Sequence, residues 1–494
     1  MVMSEGPNEK TQLTKRGDTP WDSPSPKTSP LPESSSLLDI DQAIERLGCG
    51  FGTTLFCSAC YIFLVVEGAE LVAMSTVSVM VQCEWHLSDS WVSVLMSSAH
   101  ISHFLAAALL ADLGDKFGRK RVMLGGAVGI VTAGILSGMC AELWQLMVCR
   151  CVLGFSGGVG SGPAASYICE LPPLKHRTIA LSSLGLGWGI GTAISSAMAF
   201  LTIGMFGWRG YLISVSLVFS VSLPIFIFMC ESPRYDYKKG NDERALKTLI
   251  MISKLNCKPQ SVDFKLHSGP VQCSAEPRNI YQRYRALGNS NSFKDFWLLV
   301  FCTLFVQFTY MTVIWVTPHF MNDGYCNREP EKADQSEKSC TFDNRILFNL
   351  GIVAVAEPIA TGISLVLIDR VGRRPIFMAC SILPFLLLFL LYICVKSPLY
   401  ITIITCLIRG TLAVVGWSNF LLAAELFPTS VRSFTSSIVT AGFSGSAVAA
   451  SFASRAVYEA NPQFVVLMMQ ITAFLGCFFL FFLKRETMGQ QLQL

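Results

Sequence analysis

Apolar runs free of Asp, Glu, Lys and Arg recur along the whole chain, at 47–66, 91–111, 122–141, 151–169, 178–208, 210–230, 296–322, 375–395, 433–454 and 460–483. Two further regions, 346–368 and 397–424, are each broken by one charge, Glu357 and Arg409. The first run resumes beyond Glu67 and Glu70 and continues to about residue 82. A helix that crosses a bilayer needs about 20 mostly apolar residues. The pattern therefore predicts twelve spans, six before the polar stretch 231–294 and six after it. The runs are far longer than the roughly 10 residues of a barrel strand and do not alternate apolar with polar. The expected fold class is an all-α membrane protein.

Composition agrees. Only 15% of the 494 residues are charged and 52% are hydrophobic, with a mean hydropathy of +0.48. Soluble chains carry about 25% charged residues, so a soluble enzyme, a nucleic-acid binder and a disordered scaffold are excluded. The net charge of +4 is too small to indicate an acidic partner. Lys and Arg in short loops mark the cytoplasmic side. They cluster as Lys116, Arg119, Lys120 and Arg121 after the second span, Lys175 and Arg177 after the fourth, Arg370, Arg373 and Arg374 after the eighth, and Arg432 after the tenth. Both termini and the central loop are accordingly expected in the cytoplasm.

The organisation expected is a disordered tail at 1–46, a first half at 47–230, a central loop at 231–294, a second half at 295–483 and a short tail at 484–494. The first tail is polar, with prolines at 20, 24, 26, 30 and 32, and has no apolar core of the kind a signal peptide needs. Cys326 and Cys340 bracket the one sizeable loop on the other side, where a disulfide between them is a candidate in an oxidising compartment. There is no phosphate loop, no metal-ligand cluster and no nucleophile–base arrangement, so no catalysis, metal or cofactor is expected.

The two halves repeat each other. Asp115-Lys116-Phe117-Gly118-Arg119-Lys120 follows the second span, and Asp369-Arg370-Val371-Gly372-Arg373-Arg374 follows the eighth. Glu170-Leu171-Pro172-Pro173 with Arg177 follows the fourth, and Glu425-Leu426-Phe427-Pro428 with Arg432 follows the tenth. Arg150 and Arg409 recur within the fourth and tenth spans. Duplicated halves with a site between them are a transporter architecture.

The same residues carry a resemblance. Leu113-Gly114-Asp115-Lys116-Phe117-Gly118-Arg119-Lys120 is similar to the loop signature of the major facilitator superfamily, with Ala111 where that signature has Gly. Glu231-Ser232-Pro233-Arg234-Tyr235 and Glu486-Thr487-Met488-Gly489 resemble the sugar-porter signatures. Ile44-Glu45-Arg46-Leu47-Gly48, the acids Glu67 and Glu70, and Gln82-Cys83-Glu84-Trp85 resemble the synaptic-vesicle-two-related group, a branch near the organic cation and anion transporters. The resemblance implies a major facilitator fold with two pseudo-symmetric six-helix halves, working by alternating access. It implies that spans 1, 4, 7 and 10 line the cavity. It also implies a gating role for Asp115, Gly118, Arg119, Glu170, Arg177, Asp369, Gly372, Arg373, Glu425 and Arg432, with Arg119 and Arg373 pairing Glu170 and Glu425.

Inside the spans, Glu67 and Glu70 lie three residues apart on one helix face. Two such carboxylates do not both ionise at low cost in a membrane, which suits proton coupling or a cation site. Glu357, followed by Pro358, and the arginines Arg150 and Arg409 complete the buried charges. The bland alternative for each is a structural ion pair, such as Glu67 with Arg150. His100 and His103 share a face and offer either a proton relay or polar packing. Gln307, Tyr310, Trp315 and Trp417 offer either stacking on an aromatic or cationic substrate or plain packing. The seventh span lacks the Gln-Gln-x-x-Gly stretch of hexose porters, which disfavours sugar.

The function expected is secondary active transport of a small organic ion, with protons as a candidate coupling ion, in an intracellular vesicle membrane, synaptic vesicles included. The alternatives are a plasma-membrane organic cation or anion carrier, and a vesicle receptor or regulator that keeps the fold without transporting. Glu33-Ser34-Ser35-Ser36-Leu37-Leu38 fits the acidic dileucine pattern read by clathrin adaptors, with the start of an amphipathic helix as the other reading.

Overall fold

A backbone in lipid must satisfy its own hydrogen bonds, and helices do so within one segment. The computed structural model describes residues 37–38, 40–110, 112–257, 265–266, 293–323, 343–393, 397–427 and 429–483, and these are almost wholly helical. The chain divides into two units, Met1–Ser36, which lies outside the described residues, and Leu37–Leu494.

In order, the helices are α1 (Ile40–Leu47), α2 (Phe51–Glu84), α3 (Asp89–Leu109), α4 (Leu113–Phe117), α5 (Arg119–Ser137), α6 (Leu143–Glu170), α7 (Leu174–Ser182), α8 (Leu184–Ser220), α9 (Leu223–Phe228), α10 (Pro233–Lys238), α11 (Asp242–Leu255), α12 (Phe293–Asp323), α13 (Asn344–Val371), α14 (Arg373–Tyr392), α15 (Pro398–Leu426), α16 (Thr429–Ala460) and α17 (Pro462–Phe482). Among the described residues, eleven apolar stretches are long enough to cross a membrane. One of them, Ile179–Phe228, has 50 residues and is too long for a single crossing. It reverses at Gly207, whose φ of 65° and ψ of −171° glycine adopts without a Cβ clash. The total is the twelve crossings expected. The fifth–sixth boundary falls at Gly207 rather than at the charge of Arg209.

Helices α2–α9 form the first half and α12–α17 the second. The halves meet along two seams, α3 against α16 and α8 against α13. The glycines of α8 divide between neighbours. A Cβ on Gly191 would lie 2.1 Å from Val65 O within the first half, whereas one on Gly189 would lie 2.9 Å from Pro358 N of the second.

Both ends of the described chain lie on one side, called here the termini face; the other is the far face. On the termini face α1 packs against α10 and α11. Its buried residues Ile40, Ala43, Ile44 and Leu47 follow the helical repeat, and Asp41 pairs with Arg234 at 2.7 Å. The disorder expected as far as residue 46 therefore gives way at Ile40, because this stripe finds an apolar partner. Asn256 Oδ1 accepts from the Gly52 and Thr53 amides at 2.8 and 3.3 Å and so caps α2 from 204 residues away. Leu37–Leu38 (β1) pairs in parallel with Lys265–Leu266 (β2); Glu33 lies outside the described residues. On the far face Cys83 is disulfide-bonded, while Cys326 and Cys340 lie outside the described residues.

Candidate functional site

The buried charges form two separate clusters. In the first half, Glu67 and Glu70 are both buried but point to different neighbours. Residues three apart differ by about 60° around a helix axis, enough for this divergence. Glu67 Oε1 lies 2.8 Å from His103 Nε2 of α3 and packs on Gly157 of α6. Glu70 accepts a short hydrogen bond from Ser216 Oγ of α8, and its Oε2 lies 3.6 Å from Arg150 Nη1 of α6. Arg150 is thus paired with Glu70 and not with Glu67.

His103 also crosses between halves, its Nδ1 lying 2.7 Å from Ser444 Oγ of α16. The order hydroxyl–imidazole–carboxylate is that of a nucleophilic triad. Ser444 is fully buried in the seam between halves, however, so its hydroxyl serves as a contact and not as an accessible nucleophile. His100 lies one turn away against Trp315 and Phe443, at ring separations of 5.8 and 6.4 Å.

In the second half, Glu357 of α13 is fully buried and receives donors from three helices besides its own. Arg409 Nε of α15 makes a very short bond to Oε1, and Tyr310 O–H of α12 donates to the same oxygen at 3.0 Å. Thr192 Oγ1 of α8, in the first half, donates to Oε2 at 2.9 Å. Trp188 Nε1, also of α8, donates to Tyr310 at 3.0 Å. Aromatic rings line the same region: Trp188 lies 5.9 Å from Trp417 and 5.6 Å from Phe443. Gln307 is buried against Gly416.

A small crevice, with room for about 20 Å³, lies beside this cluster, lined among others by Ser182 of α7, Thr361 of α13 and Trp417 of α15. Thr361 Oγ1 donates to the Glu357 carbonyl, so the crevice ends one helical turn from the carboxylate. Ile368 and Leu421 place it in the half of the bundle nearer the termini face. The far face is shut across the halves by Asp89 with Arg455 at 3.0 Å and by Ser97 with Ser451.

The repeated loop on the termini face is built around Arg119. Its Nη2 bonds Asp115 Oδ1 at 2.7 Å and Glu170 Oε1 at 2.8 Å, and its guanidinium lies over the Tyr235 ring at 4.9 Å. The second half repeats the pair, with Arg373 3.0 Å from Glu425. Gly118 and Gly372 share φ values of 97° and 96°, a region that favours glycine. Glu231 fills the space where a Gly118 side chain would sit, its Oε2 2.3 Å from the Cβ position. Its Oε1 accepts from the Arg119 and Lys120 amides at 2.9 and 3.2 Å, capping α5. Burial pushes the Glu231 carboxyl above the ordinary carboxylate range, although these amides pull it down. Arg177 is buried on α7. The side chains of Asp369 and Arg432 lie outside those described.

Ser216, Thr192, Trp188, Ser444 and Glu231 were not among the expected site residues. Four are uncharged and lie on apolar helices, so composition does not mark them. Glu231 stands in a recognised motif, but its partner lies more than a hundred residues away in sequence.

Two six-helix halves, buried charges between them and a crevice beside one cluster define a multi-pass transporter of the major facilitator fold. The family described as "Sugar (and other) transporter" matches residues 52–494, and the chain belongs to it. Among curated relatives, "Putative transporter SVOPL" of Danio rerio is 25% identical over 465 residues, covering 92% of this chain and 89% of that one. "Synaptic vesicle 2-related protein" of Xenopus laevis is 23% identical over 475 residues, covering 95% and 84%. Among solved structures, the xylose transporter XylE from E. coli in a partially occluded inward open conformation has a TM-score of 0.68 at 16% identity, covering 89% of this chain and 99% of that one. That likeness speaks for the fold alone.

Proposed function

We propose that the protein is a secondary active transporter of a small organic ion, working by alternating access with protons as the coupling ion. Glu357 carries the reading. It is held by Arg409 and Tyr310 from its own half and by Thr192 from the other, so relative motion of the halves must remake its contacts. Electrically the pair with Arg409 is balanced, and the aromatic walls around Trp188 and Trp417 offer faces to a charged or aromatic solute. The Lys and Arg of the short loops support placing the termini face in the cytoplasm. The crevice would then lie on the cytoplasmic side with the far face closed. The relatives named for synaptic vesicle 2 support a vesicle membrane. On this reading Arg119, Glu170, Arg373 and Glu425 steady the cytoplasmic ends of the helices as the halves rock, and a clathrin adaptor reading Leu37-Leu38 sets the address.

The test is uptake into proteoliposomes holding the full chain, with an imposed pH gradient and panels of organic cations, organic anions and hexoses or pentoses. Accumulation of an organic ion that collapses with the gradient is the expected result. Accumulation of a sugar alone, or uptake indifferent to the gradient, would overturn the corresponding part of the reading.

A further inference from the structure

A polar stripe runs down α3. Asp89, Ser93, Ser97 and His103 all bond across the seam to α16: Asp89 to Arg455, Ser93 and Ser97 to Ser451, and His103 to Ser444. His103 is the last of these from the far face, and it continues to a buried carboxylate of α2, Glu67, whereas Asp89 at the other end accepts from Gln82 of the same helix.

The surrounding charges make this couple unusual. Glu70 on α2 faces Arg150 on α6, and that pair is neutral as it stands. Glu357 of α13 and Arg409 of α15 neutralise each other beside Tyr310 of α12. At the far end of the seam Asp89 meets Arg455 and Glu459 of α16, with His319 of α12 nearby, a separate charged group whose own pH response Glu67→Gln leaves in place. His100, on the same face of α3, lies among aromatic rings, and α8 brings uncharged groups to this core, the Thr192 and Ser216 hydroxyls and the Trp188 indole. Among the described residues, Glu67 has His103 as its ion-pair partner and no arginine or lysine. A carboxylate with a neutral imidazole carries one net negative charge, which is costly in a dry core. With one more proton the couple is neutral overall.

We propose that Glu67 and His103 form the proton-binding site of the transport cycle, and that Ser444 ties its occupancy to the α3/α16 seam. This rests on the transporter reading above and locates its coupling ion. With the proton bound, Nε2–H faces Glu67, Nδ1–H donates to Ser444, and the seam closes over a neutral couple. When the proton leaves to water, the remaining charge needs hydration, and the seam parts to admit it. Proton binding therefore stabilises the far-closed state and rising pH opens it. A linkage of one proton changes the open-to-closed ratio by up to about tenfold per pH unit. The Ser444 hydroxyl can accept or donate, so it sets the strength of the seam and not the titration.

Hydrogen–deuterium exchange of the full chain in lipid nanodiscs tests this without any substrate. Exchange in α3 and α16 is followed between about pH 5 and pH 8 and corrected for the intrinsic pH dependence of amide exchange. In wild type, exchange at the far half of the seam should rise with pH. Glu67→Gln, which keeps an acceptor for His103, should be protected, with the slope reduced to what the Asp89 group supplies. Ser444→Ala should keep the pH slope at a higher level throughout. Glu70→Gln should keep it unchanged. A flat wild type, a slope undiminished in Glu67→Gln, or a slope lost in Glu70→Gln overturns the proposal; the last does so whether or not Glu67→Gln folds. A failure of the uptake assay leaves this readout intact, so the two readings fail separately.

Discussion

Arg150 on α6 and Arg409 on α15 occupy corresponding places in the repeat, and each lies within ion-pair distance of a buried glutamate. Their surroundings differ. Glu70 takes its partners, Arg150 and Ser216, from the first half alone. Glu357 is held by Arg409 and Tyr310 from the second half and by Thr192 from the first. The first pair can ride unchanged inside a half that moves as one body. The second must change when the halves separate. One of the two corresponding arginines therefore serves cohesion within a half, and the other belongs to a pair that stands at the seam between the halves. The glycines of α8 draw the same line, with Gly191 against Val65 of its own half and Gly189 against Pro358 of the other.

The sharpest way to break this comparison is to neutralise each glutamate. Removing one partner of a buried ion pair costs about 3–5 kcal/mol, so both Glu357→Gln and Glu70→Gln should lower the melting temperature. Only Glu357→Gln should also remove function, with uptake per folded molecule falling at least about 100-fold, or roughly 2.7 kcal/mol. Uptake by folded Glu70→Gln should stay within about threefold of wild type. Equal losses in both variants would erase the distinction.

Glycine substitutions sharpen it next. Gly191→Leu meets the backbone of α2 inside the first half, and the yield of monodisperse protein should collapse. Gly189→Leu wedges α8 away from α13 at the seam. It should leave that yield near normal while slowing uptake about tenfold, or roughly 1.4 kcal/mol. A normal rate in Gly189→Leu would mean that the halves need not close there.

The smallest effect concerns the termini face, where Glu231 stands beside Gly118. Because burial raises the Glu231 carboxyl, the folded state holds more protons than the unfolded one between the ordinary carboxylate value and the raised one. Stability from this group therefore falls as pH rises through that window. Glu231→Gln keeps an acceptor for the Arg119 and Lys120 amides and removes the titration. Its melting temperature should match wild type at low pH and exceed it above the window, by about 1 kcal/mol or less in stability. A wild type that gains on the variant as pH rises would reverse the sign.

Much of the fold is legible along the chain, because the length of an apolar run and the reappearance of Asp115-to-Lys120 as Asp369-to-Arg374 are local properties. The pairing of Arg119 with Glu170, and of Arg373 with Glu425, is what the resemblance of the loop motifs implies, and the structure makes both. The identity of the buried charges was readable too, as each interrupts an apolar helix. Their partners were not. Glu67 and Glu70 share a face by spacing, yet the small angle between them directs one to α3 and the other to α6 and α8.

What the sequence by itself determined is therefore the number of crossings, the duplication and the set of ionisable groups the membrane must accommodate. Hydrophobicity and helical period act within single segments and need no neighbour. Only the tertiary structure decided which acid meets which base, that Ser444 and Thr192 reach across the seams, and that Glu231 occupies the space Gly118 leaves. Those outcomes depend on how each helix is rotated and crossed against the next. Close packing sets that rotation over the whole bundle at once, so no short stretch of sequence records it.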